Sequence, residues 1–237
     1  MSTAAMEREE IELANKTAWD TLYGQTDELI WGSEPLEFVR TALMKVRAML
    51  PNSPLLLDAA TGEGRNLPIL LDFSDQVVAC DSSANALHKL QKRFPDSIQT
   101  RLCDLADTTF SNNCFDAILA CDVIETLPNL SEVLYEFNRI LKSGGILICN
   151  VPDMQDSIAG ENMEQLGESE YLYKDRFFYR FQQKSDFIQF LYDEGFALFD
   201  TFTDTWIEEA HPEYRQDRHS HTSQIIIARK RHENEVI

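Results

Sequence analysis

The sequence predicts an α/β fold, a mostly parallel sheet with helices laid against it. Three observations carry this reading. Short apolar runs alternate with helix-periodic stretches from residue 55 to residue 151. Four of those runs close on an acid at a turn: Asp58, Asp81, Asp104 and Asp122. The first run, Leu55-Leu56-Leu57-Asp58, leads through Ala59-Ala60-Thr61-Gly62-Glu63-Gly64 into a helix, and a continuous apolar run before a glycine turn fits a strand covered on both faces.

The elements follow in order. Ile11, Ala14, Ala18 and Leu22 recur at helical spacing, so a helix is expected from Met6 to Gly24. A turn-rich link holds Trp31-Gly32-Ser33-Glu34-Pro35. A second helix, with Leu36, Val39, Leu43 and Val46 on one face, runs from Pro35 to Leu50, because proline suits a first helical turn. Strands are then expected at Leu55–Asp58, Gln76–Cys80, Ile98–Leu102, Phe115–Cys121 and Ile146–Val151. Helices are expected at Gly64–Leu71, Ser83–Phe94 and Leu130–Leu141. Parallel strands joined by helices require right-handed crossovers.

After Pro152 the alternation stops. Residues 153–170 carry six acids and no Lys or Arg, which reads as a surface insertion. Residues 171–181 hold Tyr171, Tyr173, Phe177, Phe178, Tyr179 and Phe181. A helix from Ser185 to Glu194 and closing strands at Phe196–Thr203 and Thr222–Ala228 complete the chain. A polar loop between those strands contains His211, His219 and His221, read as surface residues, with a metal site as the other reading.

Composition narrows the function. A chain of 237 residues with 43% hydrophobic content fits one sizeable core. A net charge of −19 repels phosphate backbones, which disfavours nucleic-acid partners. No run approaches the roughly 20 apolar residues of a membrane span. The first ten residues lack an apolar signal core, so a cytoplasmic location is expected. Cys80, Cys103, Cys114, Cys121 and Cys149 form no C-x-x-C pair and read as free thiols.

The acids and glycines point to a nucleotide-like ligand. In an open parallel sheet the ligand crevice lies beyond the C-terminal strand ends, where the four acids converge. Asp81 follows Asp58 by 23 residues, a spacing that suits a carboxylate accepting from a ribose diol. Each acid alone is also explained as a helix N-cap; four in register favour a site. Leu67 stands where a dinucleotide fingerprint needs a small residue, and no G-K-[S/T] follows the glycines. An NAD-type oxidoreductase is therefore the weaker reading.

The combination resembles a class I S-adenosylmethionine-dependent methyltransferase of the small-molecule type. The resemblance rests on Leu57–Asn66, on Val77–Ser83 and on Cys103-Asp104-Leu105. It also rests on Phe115–Pro128 and on Leu141-Lys142-Ser143-Gly144-Gly145. It implies a Rossmann-like sheet of seven strands, mostly parallel, with helices on both faces and an antiparallel last strand. It implies one domain overall: a helical cap at 1–50, a methyltransferase domain at 51–237, and a lid-like insertion at about 152–184. S-adenosylmethionine would be the cofactor, held by Trp31, Asp58, Ala60, Gly62, Gly64, Asn66, Asp81, Ser82, Asp104, Leu105, Cys121 and Asp122. Within that set Asp58 would meet the amino group, Asp81 the ribose and Asp104 the adenine. The partner would be a small-molecule methyl acceptor, with neither nucleic acid nor membrane involved. Ala60 stands where the family usually has its first glycine, and Thr126 where many relatives have a histidine.

Methyl transfer from a sulfonium needs in-line alignment and exclusion of water, and no metal. Asp122, Tyr179 and Tyr23 are the candidate catalytic groups, with Glu125 read as a solvated acid. Arg176 and Arg180 are available to pair an anionic substrate. Trp19 reads as helix packing. A catalytically inactive cofactor-binding scaffold is the alternative function, expected if Phe177 or Tyr179 fills the acceptor space.

Overall fold

In the computed structural model, residues 8–95, 98–153, 156, 158, 163–211 and 213–232 are described. Helix α1 (Arg8–Gly24) and helix α2 (Glu37–Val46) precede strand β1 (Leu56–Ala59). Then come α3 (Leu67–Phe73), β2 (Val77–Asp81), α4 (Ala84–Arg93), β3 (Gln99–Leu102), β4 (Phe115–Ala120), α5 (Leu130–Ile140) and β5 (Leu141–Pro152). Short strands β6 (Met163–Gln165), β7 (Glu170–Tyr173) and β8 (Phe177–Arg180) follow, then α6 (Lys184–Asp193), β9 (Phe196–Glu208) and β10 (His219–Lys230).

The main sheet has seven strands in the order β3-β2-β1-β4-β5-β10-β9. Strands β1 to β5 pair in parallel, and β10 runs antiparallel to both β5 and β9. The fold is the expected Rossmann-like one. Alternation along the strands explains the two layers. Leu57, Ile118, Leu147, Cys149 and Ile226 face Val133, Phe137 and Phe187 on one side. Leu56, Ala79, Leu119, Ile148 and Ile225 face Val39, Leu43 and Leu90 on the other. Strands covered on both faces must be apolar throughout, as these are.

Three features differ from the sequence expectation. Strands β9 and β10 form a longer hairpin than expected, so both ends of the polar stretch read as a loop, 204–208 and 219–221, are strand. Its alternating Thr and Asp residues mask the strand signal, because both faces there lack an apolar stripe. Second, residues 163–180 form a separate antiparallel sheet, β6-β7-β8. Third, the acidic insertion is not uniformly surface. Asp156 is buried, and Glu164 and Glu170 lie on β6 and β7. Residues 154, 155, 157 and 159–162, with Glu161 among them, lie outside the described residues, as do Met6 and the first residues of the expected first helix.

Helix α1 and the small sheet roof the C-terminal edge of the main sheet. Asp20 on α1 accepts from Ser83 Oγ at 2.7 Å and Asn85 N–H at 3.2 Å, capping the start of α4. Buried Asn15 donates to Thr126 O at 2.8 Å and accepts from Phe178 N–H at 2.9 Å, tying α1 to the main sheet and to β8. All five cysteines are free. Among the described residues no helix is long and apolar enough to cross a membrane.

Candidate active site

Beneath that roof, at the C-terminal ends of β1, β2, β4 and β5, lies one large cavity. Its empty volume, open mouth included, is about 1570 Å³.

The turn after β1 forms the cavity floor. Ala60 and Gly62 both sit in the left-handed region, at φ 56° and 54°. A Cβ on Gly62 would stand 2.8 Å from the Tyr23 hydroxyl, so only glycine fits. Asp81 reaches across from β2. Its Oδ2 accepts from Gly62 N–H at 2.8 Å and its Oδ1 from Ser83 N–H at 2.8 Å. Asp58 Oδ2 accepts from Thr61 Oγ1 at 2.6 Å. Burial pushes the Asp58 carboxyl up to about 7, against the Thr61 hydrogen bond. Burial likewise raises Asp81.

Glu63, between the two glycines, is buried and holds the loop above. Its Oε2 accepts from Ile30 N–H at 2.9 Å and its Oε1 from Lys89 Nζ at 2.8 Å. This sets Trp31 against the cavity, where the Trp31 indole N–H donates to Tyr23 Oη at 2.9 Å. Asn66 Oδ1 accepts from Leu36 N–H at 3.0 Å and fixes the start of α2.

At the end of β4, Asp122 adopts φ 51°. Asn150 on β5 holds it there: Oδ1 accepts from Asp122 N–H at 2.8 Å, and Nδ2 donates to Asp122 Oδ1 at 2.6 Å. Strained backbone of this kind persists where the surroundings over-determine it. Burial, then the charge of Glu208, raises the Asp122 carboxyl.

Thirteen of the fourteen residues expected at the site line this cavity. Gly64 does not. At φ 78°, a Cβ there would strike Leu67, Leu90 and Phe94, so this glycine serves the packing of the turn on α4. Asp104 lines the wall with its carboxylate engaged, paired with Lys16 of α1 and accepting from Ala106 N–H at 2.9 Å. Trp19 lines the cavity as well as packing on Phe177, at a ring separation of 4.7 Å. Tyr23 and Tyr179 are hydroxyls whose burial pushes their pKa well up, so neither is a base near neutral pH. The Tyr179 hydroxyl is hydrogen-bonded to that of Tyr214.

Several readings change. Glu125 is buried, not solvated, and its Oε2 has no hydrogen-bond partner among the described residues. Burial, then the Asp122 charge, raises it well above the carboxylate range. Arg180 is committed elsewhere: it pairs with Glu170 at 2.9 Å and donates to Leu127 O at 2.9 Å, outside the cavity. Arg176 does not line the cavity either. The histidines are not surface groups. His211 and His219 are buried, His221 is half-buried, and all three line the cavity beside Glu208. Burial would raise Glu208, but contact with His211 and with Arg65 holds it well below its usual range. The crossing of β9 and β10 brings these residues together, and no local sequence spacing announces that pairing.

A glycine turn after β1, an acid ending β2 that clamps it, and a cavity over the strand ends agree with the resemblance drawn from the sequence. The family model described as "Methyltransferase domain" matches residues 57–149. Residues 57–149, about two-fifths of the chain, thus match a methyltransferase domain. The chain is 34% identical over 103 residues to the ubiquinone/menaquinone biosynthesis C-methyltransferase UbiE of Desulfotalea psychrophila, covering 42% of each chain. It is 33% identical over 126 residues to the mitochondrial ubiquinone biosynthesis O-methyltransferase of Rattus norvegicus, covering 46% of this chain and 35% of the relative. The chain thus spans less than half the length of these curated relatives. In fold it is similar to the 1,6-didemethyltoxoflavin-N1-methyltransferase of Burkholderia thailandensis, solved with 1,6-didemethyltoxoflavin and S-adenosylhomocysteine. That likeness has a TM-score of 0.69 at 16% identity and covers 98% of this chain and 94% of the other.

Proposed function

We propose that the chain methylates a small-molecule acceptor, with S-adenosylmethionine as donor. The observation that carries this is the one cavity that Asp58, Asp81 and Asp122 all line, together with the glycine turn, Trp31 and Tyr179. When bound, S-adenosylmethionine supplies an electrophilic methyl group on a sulfonium, open to direct in-line displacement.

The residues divide the work. Asp58, in its ionised form, pairs with the cofactor's amino group. Asp81 keeps a lone pair on each oxygen for the ribose hydroxyls while its backbone contacts hold the turn. Asp104 and Leu105 border the adenine end, and Lys16 must yield part of the Asp104 carboxylate there. Trp31, Tyr179 and Tyr214 exclude water, which strengthens every charge interaction beneath them. Asp122 faces the acceptor space and takes a proton from an acceptor that needs to lose one. Glu125 lines the same space, its carboxyl raised by burial and then by the Asp122 charge.

The toxoflavin-type neighbour and the quinone-pathway relatives support a low-molecular-weight acceptor. The inactive-scaffold reading required a filled acceptor space, whereas Phe177 packs on Trp19 and Tyr179 on Tyr214. The test is release of S-adenosylhomocysteine across a panel of phenols, amines, thiols and heterocycles. Turnover with such an acceptor is expected. Label transferred only to protein or nucleic acid would overturn the reading.

A further inference from the structure

The β9–β10 hairpin carries a cluster that methyl transfer does not call for. A ring nitrogen from each of His219 and His221 and a carboxylate oxygen of Glu208 all lie within 4.8 Å of one another. Hydrogen bonding fixes how each ligand presents itself. His219 Nδ1 is 2.8 Å from the carbonyl oxygen of Asp217, an acceptor only, so Nδ1 carries the proton and Nε2 the lone pair. His221 Nδ1 is 3.2 Å from the buried Asp156 carboxylate, which fixes the same tautomer and turns Nε2 toward Glu208 Oε2, 3.8 Å away. Glu208 Oε1 accepts from Arg65 at 2.5 Å and from the Trp206 indole N–H at 2.9 Å, leaving Oε2 to the imidazoles. Metal-binding histidines are oriented in this way, each giving its second nitrogen's proton to an oxygen behind it.

A second observation points to a cation. His211 is 5% exposed, and its Nδ1 donates to Ile30 O at 2.9 Å. Its Nε2 lies 2.7 Å from Glu208 Oε2, off hydrogen-bond geometry and with no hydrogen-bond partner among the described residues. A buried nitrogen and a carboxylate oxygen stay this close only with a positive charge on the ring or beside it, and the missing hydrogen bond points to a cation beside them.

We propose that Glu208, His219 and His221, with His211 alongside, bind one divalent first-row transition-metal ion of the zinc class on the wall of the cavity. Imidazole nitrogens select such ions over magnesium and calcium. Three protein ligands leave coordination positions free, as in zinc sites that take a further ligand. Those positions face the cavity that also holds Asp122, so they suit an anionic oxygen, nitrogen or sulfur of the bound acceptor. That last assignment rests on the methyl-transfer reading; metal binding itself does not.

The test uses the full chain stripped with EDTA and titrated with Zn²⁺ by calorimetry, with no cofactor present. One equivalent is expected, and Co²⁺ in its place is expected to give a visible d–d absorption. Asp156→Asn keeps all three ligands and one acceptor oxygen for the N–H groups of Ile158 and Thr222, and should weaken binding by about 10–100-fold by loosening His221. The His219→Gln, His221→Gln double variant should lose the site and the Co²⁺ band. Absence of stoichiometric Zn²⁺ binding by the wild-type chain, or binding that survives unchanged in the double variant, overturns the proposal. Because S-adenosylmethionine binding is measured separately, failure of the methyl-transfer reading would leave this result intact.

Discussion

Asp81 accepts the backbone N–H of Gly62 at 2.8 Å, so the acid that faces the cavity from β2 also clamps the glycine turn that follows β1. One carboxylate thereby fixes both walls of the cofactor end. A substitution at Asp81 must keep an acceptor for that N–H if its effect on ligand binding is to be read apart from its effect on the turn.

Ala60 occupies a position that favours glycine. At φ 56° an L side chain costs roughly 1–2 kcal/mol. Ala60→Gly removes that strain and adds unfolded-chain entropy of about 0.5–1 kcal/mol, so stability should hold or rise by up to about 1 kcal/mol. Ala60→Val adds β-branching in the left-handed region and should lower it by at least as much. Urea unfolding of the two variants checks the order.

Asp58 predicts a pH dependence. Its folded carboxyl is raised to about 7 by burial, against about 3.9 unfolded, so the folded state holds a proton that the unfolded state has lost between those values. Its contribution to stability is present below pH 4 and fades as pH rises through 7. Binding of a cationic amino group needs the ionised form. Cofactor affinity should therefore fall about tenfold per unit below pH 7, with close to one proton released on binding at pH 6. Calorimetry in two buffers of different ionisation enthalpy measures that proton, and Asp58→Asn should abolish its release.

Glu125 should behave as a buried neutral acid. Its folded pKa lies well above the usual range, so ionising it as pH rises costs stability. Glu125→Gln mimics the protonated form. It should unfold at the same denaturant concentration as wild type near pH 4, below the unfolded carboxyl's value of about 4.3, and at a higher one near pH 8. A lower midpoint at pH 8 would show that the ionised carboxylate is the favoured form.

The Lys89–Glu63 pair holds the Trp31 loop from below, with both residues buried. Lys89→Met strands the Glu63 charge, and stability should drop by about 3–5 kcal/mol. Trp31 emission should shift to the red as the loop loosens. Lys89→Arg should recover part of the loss.

Much of this was legible in the sequence because parallel strands write their burial into continuous apolar runs. Asp58, Asp81 and Asp122 could be placed at one edge from periodicity and topology alone. The hairpin was not legible. The strand ends 204–208 and 219–221 are mostly polar, and the hairpin's histidines pack on one another: His219 against His211 and His221, at ring separations of 4.9 and 4.8 Å. The reading of Glu125 as solvated changes for a related reason. A charged residue in a turn reads as solvated, and only the tertiary neighbours show Glu125 buried, its Oε2 with no hydrogen-bond partner among the described residues.

Titration calorimetry of S-adenosylmethionine against the wild-type chain and Asp81→Asn tests the central claim most directly, with NAD as the comparison ligand. One site for S-adenosylmethionine, none for NAD, and a loss of about 10–150-fold in the variant are expected, the worth of a hydrogen bond to a charged group. Equal affinity in wild type and Asp81→Asn, or binding of NAD in preference to S-adenosylmethionine, would contradict it.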